Sequence, residues 1–200
     1  LFKDALVKEK EGKGDAYQYM MEGVDELAPG ANGLITLPYW AGERTPINDP
    51  KAKGVIFGFD LSHTRAHMYR SALESVAYSI NQQLTLMKAH DIPIDQIFVT
   101  GGGTQNEVWM QIIADVVGQE VSTPEITIGA SFGDALMAAS AIRYPGFETY
   151  DRMLNFIRPG KTYTPDAGRH EIYKKYQEIY DELYEATKHL MHRTDAAAAG

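Results

Sequence analysis

The residues best suited to chemistry in this sequence are three consecutive glycines, Gly101, Gly102 and Gly103, with Asn106 three positions later. Three glycines in a row cost conformational entropy, so they mark backbone that takes positive φ or lies close to another group. Asn106 stands where a helix would place its N-cap, and helix N-terminal amides favour anions. The pattern indicates a backbone site for a flat ligand or a phosphate chain. Close packing of a strand-to-helix turn would explain the same glycines equally well.

Neither of two known phosphate-binding motifs is complete in this sequence. A Walker-type loop needs a lysine after its last glycine. The chain has Gly-Lys-Thr only at residues 160–162, where Asn155 replaces the first glycine and Pro159 replaces the preceding strand. The dinucleotide fingerprint G-x-G-x-x-G begins acceptably at Gly101 but meets Asn106 in place of its third glycine, which weakens that interpretation without excluding it.

Histidines offer a second candidate chemistry. His63 and His67 have metal-ligand spacing, but the residues between them lack the glutamate of H-E-x-x-H and no third ligand suggests itself, so structural or capping roles are favoured. His189 and His192, near the end of the terminal helix, are predicted to interact with its dipole or with solvent.

Carboxylates lie near both glycine-rich elements. Asp60, Asp115 and Asp134 are candidate bases or magnesium-water ligands, with capping and polar-face roles as the default for Asp115 and Asp134. The small-residue cluster at residues 129–133 indicates either another ligand turn or close packing, and residues 43–45, Glu-Arg-Thr, either contact a ligand or pair with one another.

The elements that would position these residues alternate between strand and helix. Apolar runs predict strands at residues 33–38, 55–59, 97–99 and 120–122. Periodic segments predict helices at residues 17–27, 106–117, 128–142 and 171–191, and a long helix that begins after an N-cap at Ser62 or Thr64 and runs to about Ala89. Residues 1–7 are predicted to end a helix, and residues 39–53 and 144–165 to be irregular. This order predicts an α/β fold, in which the strand at residues 97–99 is central.

Two of these helices are predicted to bury one apolar stripe each. The stripes comprise Tyr69, Leu73, Val76, Ile80, Leu84 and Met87 in the long helix, and Ile172, Tyr176, Ile179, Leu183 and Leu190 in the terminal one. The terminal helix docks either on its own domain or on a partner chain, so a homo-oligomer stays open.

Composition narrows the class of protein. The 200 residues are 44% hydrophobic and 23% charged, as in ordinary globular proteins, and the net charge of −8 argues against a nucleic-acid surface. Cysteine is absent, which excludes disulfides and thiolate chemistry. No apolar run approaches the ~20 residues of a membrane span, so we expect a cytoplasmic protein with no membrane contact. Because the chain opens on Leu1, we expect a piece of a longer protein, with residues 196–200 as a tail.

Three ordered motifs carry a resemblance over nearly the whole chain. LPYWAGERTPINDPKAKGVIFGFDLSHTRAHMYRSALESVAY at residues 37–78, GGGTQNEVWMQIIADVVGQEV at residues 101–121 and GASFGDALMAA at residues 129–139 resemble the C-terminal domain of the FGGY carbohydrate kinases, nearest to the xylulokinase branch. The resemblance implies a ribonuclease H-like, actin-like ATPase domain, a mixed sheet with flanking helices, incomplete at its N-terminus.

The resemblance also implies a function and a site. It implies transfer of the γ-phosphoryl of magnesium-ATP to a sugar hydroxyl, with a ketopentose such as xylulose as the leading substrate. Gly102 would lie against the adenosine of ATP, Asn106 would hydrogen-bond it, Gly101 and Gly103 would shape the backbone, and the turn at residues 129–135 would pack beside them. Residues 1–195 would form the ATP-binding domain of a two-domain kinase.

What the resembled family places upstream has no counterpart here: the catalytic Asp, the sugar contacts and the N-terminal phosphate-binding turn. We therefore expect the isolated chain to lack sugar kinase activity and to bind ATP weakly at most. Two other functions stay open, an actin-like module for assembly or regulation and half of a dinucleotide-dependent oxidoreductase. Upstream sequence discriminates the first from a kinase, and a preference for NAD over ATP would favour the second.

Overall fold

The computed structural model describes residues 16–126 and 129–198, with side chains described as far as residue 194. The helix end predicted at residues 1–7 lies outside these ranges. The α-helices and β-strands of the described residues are, in chain order, α1 Ala16–Met21, β1 Ile35–Leu37, β2 Val55–Phe57, α2 Arg65–Ala89, β3 Ile97–Phe98, α3 Glu107–Val117, β4 Val121–Pro124, α4 Ala130–Ala141, α5 Tyr150–Leu154, β5 Pro159–Tyr163 and α6 Ala167–Ala198.

The strands form two small sheets. β1 pairs with β2 antiparallel, with Ile35 opposite Phe57. In the other sheet the order is β3, β4, β5, where β3 and β4 are parallel and β4 and β5 are antiparallel. Because α3 connects the parallel strands β3 and β4, this part of the chain is the crossover unit that the alternation predicted. The predicted α/β architecture is confirmed, although β3 lies at the edge of the described sheet and not at its centre.

Helix α3 lies at the middle of the core. It packs against both α2 and α6, and its buried residues comprise Met110, Ile112, Ile113, Ala114, Asp115, Val116 and Val117. The helix ends at Gly118, whose φ of 65° is left-handed as expected of a C-terminal glycine. A helix buried on nearly every side fixes the turn that precedes it.

The long helix α2 begins after Thr64, one of the two predicted N-caps, and ends at Ala89, as predicted. Four of the six residues of the predicted stripe lie in or pack against the core, Leu73 with Tyr69, Ile80 and Leu84, but the fully buried face includes other residues. The stripe contributes Leu73 alone to the fully buried set, whereas Met87 is 37% exposed. The buried face includes Arg70 and Glu74, which pair with each other, together with small residues. Hydrophobic periodicity misses a core face whose charged side chains satisfy one another.

The terminal helix α6 docks on its own chain, and the predicted face is only partly right: Leu183 is buried and Tyr176 packs against the core. Its buried residues are Tyr173, Tyr180, Leu183, Tyr184 and Met191, while Ile172, Ile179 and Leu190 are each more than two-fifths exposed. The tyrosine row faces the core because its hydroxyls reach buried polar partners on other elements. The helix also continues through Ala198, into the predicted tail.

Several predicted boundaries shift for local reasons. α1 is shorter than predicted because Gly23 takes a φ of 77° and turns the chain. The predicted strand at residues 33–38 begins later because residues 31–33 form a 3₁₀ turn. Residues 144–165 are not wholly irregular: they contain α5 and β5, an edge strand with four exposed residues and no hydrophobic alternation. None of the described helices combines the length and apolar character of a membrane span.

Candidate functional site

The candidate site lies where β3 and β4 end. Parallel strands present their carboxyl ends at one edge of a sheet, and in open α/β sheets ligands bind in the crevice there. The turn after β3 holds the three glycines, and the turn after β4 holds Gly129, whose φ is 76°. A Cβ built on Gly129 would lie 3.9 Å from both the Cα and the N of Gly101. The structure therefore brings together the two glycine clusters that the sequence presented separately.

Each glycine of the first cluster has a different physical reason. Gly101 has a φ of 101°, which side chains disfavour. A Cβ on Gly103 would lie 2.5 Å from Cζ3 of Trp109, so packing excludes it. Gly102 has neither constraint, because a Cβ there would meet no atom within 4 Å, and the same holds for Gly133 in the first turn of α4. The fold requires Gly101 and Gly103, whereas Gly102 keeps a surface open.

Asn106 is the N-cap that the sequence predicted. Its Oδ1 accepts a hydrogen bond of 3.0 Å from the backbone N–H of Trp109, and α3 begins at the next residue. A 3₁₀ turn, Gly102–Gln105, precedes the helix and was not predicted. The Nδ2 of Asn106 lies 3.1 Å from Sδ of Met21 on α1, and a primary amide has a second N–H to donate. Because Oδ1 caps the helix, Asn106 would contact a ligand as a donor.

The first turn of α3 also carries an ion pair. Glu107 Oε1 lies 2.5 Å from Nζ of Lys161 on β5, and both side chains are more than half exposed. The hydrogen bond to Glu107 raises the pKa of Lys161. Lys161 is the lysine of the Gly-Lys-Thr sequence that lacks the other Walker residues. It pairs with a carboxylate beside the glycine turn, and the pair links β5 to α3.

Asp115 anchors α3 and is not on its polar face. It is 2% exposed. Its Oδ1 accepts from the backbone N–H of Asp166 at 2.8 Å, and its Oδ2 accepts from Nε of Arg169 at 2.6 Å. Its carbonyl oxygen also lies 2.8 Å from Nδ1 of His170. Asp115 thus joins α3, which follows the glycine turn, to the start of α6. These partners could not be read from the sequence because they are more than 50 residues away.

His63 and His67 have structural partners. Nδ1 of His63 lies 2.9 Å from the backbone N of Asp60 and 3.0 Å from its Oδ1, and Nε2 of His63 lies 3.2 Å from the carbonyl oxygen of Asn32. Nδ1 of His67 accepts from the N–H of Thr64, the residue that precedes α2. Burial lowers the pKa of His67, and neighbouring His63 adds to that effect. Both rings serve the start of α2, as the capping interpretation predicted.

His192 binds a carboxylate, contrary to the prediction of a dipole or solvent role. Its Nε2 lies 2.7 Å from Oδ2 of Asp49, which also accepts from the hydroxyl of Tyr184 at 2.9 Å. Burial would raise the pKa of Asp49, but the hydrogen bonds, with His192 first, outweigh it and lower the pKa.

In the same loop Oε1 of Glu43 accepts from the N–H of Thr45 at 3.0 Å, so this segment pairs internally.

The side-chain donors do not build a magnesium site within the part of the chain that the structure describes. No group of three His, Asp or Glu side chains there has the geometry to hold a metal ion. Mg²⁺ in nucleotide-dependent enzymes is commonly held by one or two carboxylates together with substrate phosphates. The open faces at Gly102 and Gly133, in contrast, suit a flat or anionic ligand that approaches backbone.

Sequence reasoning missed two residues that shape this site. Trp109 lies against Gly103, and Met21 lies against Asn106. Trp109 occurs three residues after the N-cap within a helical apolar pattern, which indicated only a core position. Met21 is 85 residues from its partner, and nothing local marks it.

This arrangement of two glycine turns beside a mixed sheet belongs to a known class of α/β nucleotide-binding folds. The solved structure of xylulose kinase from Rhodospirillum rubrum superimposes with a TM-score of 0.79 at 30% identity, and the match covers 96% of this chain and 38% of that one. The predicted actin-like ATPase fold is therefore confirmed.

The family follows from sequence comparison. Residues 2–142 match the C-terminal domain of the FGGY family of carbohydrate kinases. The xylulose kinase of Bacillus subtilis (strain 168) is 30% identical over 177 residues, covering 88% of this chain and 35% of that protein. The gluconokinase of Bacillus licheniformis is 31% identical over 173 residues, covering 86% and 33%. The chain belongs to the FGGY family of carbohydrate kinases, and it spans about a third of the length of these curated relatives.

Proposed function

We propose that this chain is the ATP-binding part of a carbohydrate kinase that transfers the γ-phosphoryl of ATP to a sugar hydroxyl in the cytoplasm. In this proposal residues 1–195 form the C-terminal domain of a two-domain enzyme. The observation that carries the proposal is the pair of glycine turns after β3 and β4, which meet at Gly101 and Gly129 and leave open faces at Gly102 and Gly133.

The chain's own residues would bind and orient the nucleotide. Gly102 would lie against the adenosine because it alone of the three glycines has neither a left-handed φ nor a neighbour that forbids a side chain. Gly101 and Gly103 would set the path of the backbone, and Asn106 would donate Nδ2–H to the ligand while Oδ1 caps α3. ATP supplies the phosphoryl group, and phosphoryl transfer depends chiefly on positioning and charge stabilisation.

The remaining parts of the reaction are proposed to lie in the N-terminal domain. A carboxylate that takes the proton from the attacking hydroxyl, and the sugar contacts, are not assigned to any residue of this chain. Mg²⁺ would arrive with the phosphates of ATP, which commonly hold it together with one or two carboxylates. The chain alone is expected to bind ATP weakly and to transfer no phosphoryl group.

A ketopentose such as xylulose is the proposed substrate. Relatives named xylulose kinase and gluconokinase match the chain at similar identity, so a sugar acid is the competing substrate. Both are tested by assaying the native protein, as isolated from its source, with ATP and a panel of pentuloses, hexuloses, polyols and gluconate. Turnover of a pentulose above the others supports the proposal, and preferential turnover of gluconate overturns the substrate assignment.

Two further measurements test which nucleotide the chain binds and whether catalysis needs the proposed N-terminal domain. Equilibrium dialysis of the 200-residue chain with ATP, ADP and NAD should show a preference for the adenine mononucleotides. A preference for NAD would overturn the kinase proposal in favour of a dinucleotide enzyme. Turnover of a pentulose by the 200-residue chain alone would show that the proposed division between two domains is wrong. A native protein that phosphorylates no sugar would instead support an actin-like module without catalysis.

A further inference from the structure

We propose that Trp109 is a positioning residue that holds the glycine turn in its nucleotide-binding shape and reports on occupancy of the turn by its fluorescence. This inference rests on the proposed function, because it names a determinant of that same site. Trp109 would not touch the ligand. It would act through Gly103 and Asn106, the two residues of the turn with which it is in direct contact.

Trp109 contacts the turn at two points. The benzo edge of its ring lies against Gly103, where a Cβ would be 2.5 Å from Cζ3 and 3.1 Å from Cε3. Its backbone N–H donates to Oδ1 of Asn106 at 3.0 Å. The ring therefore supports the middle of the turn, while the backbone N–H of Trp109 fixes its last residue. The face of Gly102 stays open.

The ring itself is fixed from the opposite side. Nε1 of Trp109 donates to the carbonyl oxygen of Leu73, inside α2, at 3.0 Å. A partly buried indole that is hydrogen-bonded at its edge and packed against Gly103 is held in one orientation, whereas a phenyl ring at the same site would lack both the bond and the second ring. The turn is thus tied through one side chain to α2, which packs along α3.

This geometry predicts that the effects of Gly103 and Trp109 depend on each other. Gly103→Ala would force its methyl into the indole, whereas in the Trp109→Phe background the atoms that obstruct it are gone. A double-mutant cycle should therefore show coupling, with Gly103→Ala harming the Trp109→Phe protein less than the parent protein. The melting temperature of the ligand-free 200-residue chain gives this coupling without any assumption about the ligand.

Nucleotide affinity provides the readout that a merely structural tryptophan would not change. Trp109→Phe should weaken ADP binding, measured by equilibrium dialysis, by roughly three- to tenfold, because the unsupported turn would have to be ordered when ADP binds, at about the cost of fixing one backbone residue. Ile113→Val is the matched control, since it trims a side chain that is 1% exposed elsewhere on the same helix and should lower stability while ADP affinity stays unchanged.

Fluorescence follows Trp109 directly. The sequence contains two tryptophans, Trp40 and Trp109, so Trp40→Phe leaves Trp109 as the sole indole. Emission of this variant should change on titration with ADP and follow the isotherm obtained by dialysis. The titration should extend to about 10 mM, a range that covers millimolar dissociation constants.

The outcomes separate the two proposals. Coupling in the cycle, together with an emission change that follows ADP binding, supports the role of Trp109. If ADP binds by dialysis while emission is constant and Trp109→Phe binds as tightly as the parent, the role of Trp109 is wrong and the proposed function stands. If ADP binds neither the 200-residue chain nor the native protein by dialysis across this range, the proposed nucleotide site is wrong, and the role of Trp109 is wrong with it. Additive melting temperatures in the cycle would overturn the support of Gly103 by the indole whatever ADP does.

Discussion

Gly101 and Gly129, although 28 positions apart, are in van der Waals range: a Cβ on Gly129 would be 3.9 Å from Cα of Gly101. Each follows one of two parallel strands and has a left-handed φ. A Cβ on Gly129 would fit at ordinary contact distance and one on Gly101 would meet no atom within 4 Å, so the two turns lie side by side at the carboxyl edge of the sheet. This relationship makes the two glycine clusters one candidate site.

The open face at Gly102 is the most direct test of that site. Gly102→Ala is expected to leave stability unchanged or to raise it by up to about 1 kcal/mol, because alanine restricts the unfolded chain and meets no neighbour. Its methyl group would occupy the ligand face, so ADP affinity should fall by about tenfold or more, roughly 1.4 kcal/mol. Thermal melting and equilibrium dialysis measure the two effects.

Gly103→Ala is the matched control for that change. Here a methyl group meets the Trp109 ring, so stability should fall by about 1–3 kcal/mol, as for other overpacked sites. The prediction for Gly102 fails if Gly102→Ala loses as much stability as Gly103→Ala, or if it binds ADP like the parent protein.

Asn106 has two roles that substitutions can separate. Asn106→Ala removes the N-cap of α3 and should cost about 0.5–2 kcal/mol of stability. Asn106→Asp keeps an oxygen that accepts from Trp109 N–H, so it should retain stability close to that of the parent. A carboxylate has no N–H to donate and repels phosphate, so ADP affinity should fall in Asn106→Asp as well. Equal ADP affinity in Asn106→Asp and the parent would show that Asn106 is a cap alone.

The buried ion pair between Arg70 and Glu74 should be costly to break from one side. Glu74 Oε1 accepts from Arg70 Nε at 2.8 Å, from Gly30 N–H at 3.0 Å and from the Tyr173 hydroxyl at 3.0 Å. Arg70→Met leaves this carboxylate without its counter-charge and should lower stability by about 3–5 kcal/mol. The double variant Arg70→Met, Glu74→Leu should recover part of that loss. Urea unfolding measures both, and a double variant less stable than the single one would contradict the prediction.

The loss of stability in the single variant Arg70→Met is predicted to depend on pH. Burial raises the pKa of Glu74, and the Arg70 charge opposes that rise. A carboxyl group with a raised folded-state pKa binds its proton more tightly in the folded protein, so its penalty grows as pH rises above its unfolded pKa of about 4.3. The destabilisation of Arg70→Met should therefore be largest near neutral pH and shrink toward pH 4. A constant difference from the parent across this range would show that the unpaired charge is not its cause.

Ionised Asp49 is expected to stabilise the folded protein, whereas an unpaired, ionised Glu74 destabilises it. The pKa of Asp49 is lowered, since the hydrogen bonds from His192 and other donors outweigh burial. A carboxyl group with a lowered folded-state pKa contributes stability above its unfolded pKa of about 3.9 and loses it as pH falls through the folded value. Melting temperatures of the parent and Asp49→Asn should thus differ above about pH 5 and converge in acid. Asp95→Asn, a change at an exposed acid, is the control, and a difference that grows in acid would contradict the assignment.

Local sequence determined the parts of the site that local physics controls. The left-handed φ of Gly101, the N-cap at Asn106, the start and end of α2 and the strand-helix alternation all depend on residues a few positions apart, and these predictions are confirmed. Gly102 has neither a left-handed φ nor a close neighbour. The resemblance to the FGGY carbohydrate kinases, carried by three ordered motifs, is confirmed by the family match over residues 2–142. Binding of ATP by Gly101, Gly102, Gly103 and Asn106 stays a prediction.

Tertiary structure decided what depends on distant partners. The sequence could not show that Tyr173 and Tyr184 face the core in place of Ile172 and Ile179, because a tyrosine is buried only where its hydroxyl finds a partner, here Glu74 and Asp49. Edge strand β5 escaped prediction because four of its five residues are exposed and carry no alternation. Hydrophobic periodicity records which residues avoid water, but a buried hydrogen-bond partner more than 50 residues away leaves no periodic signal. For the same reason the sequence showed neither the packing of Trp109 against Gly103 nor the approach of Gly129 to Gly101, since only folding brings those residues together.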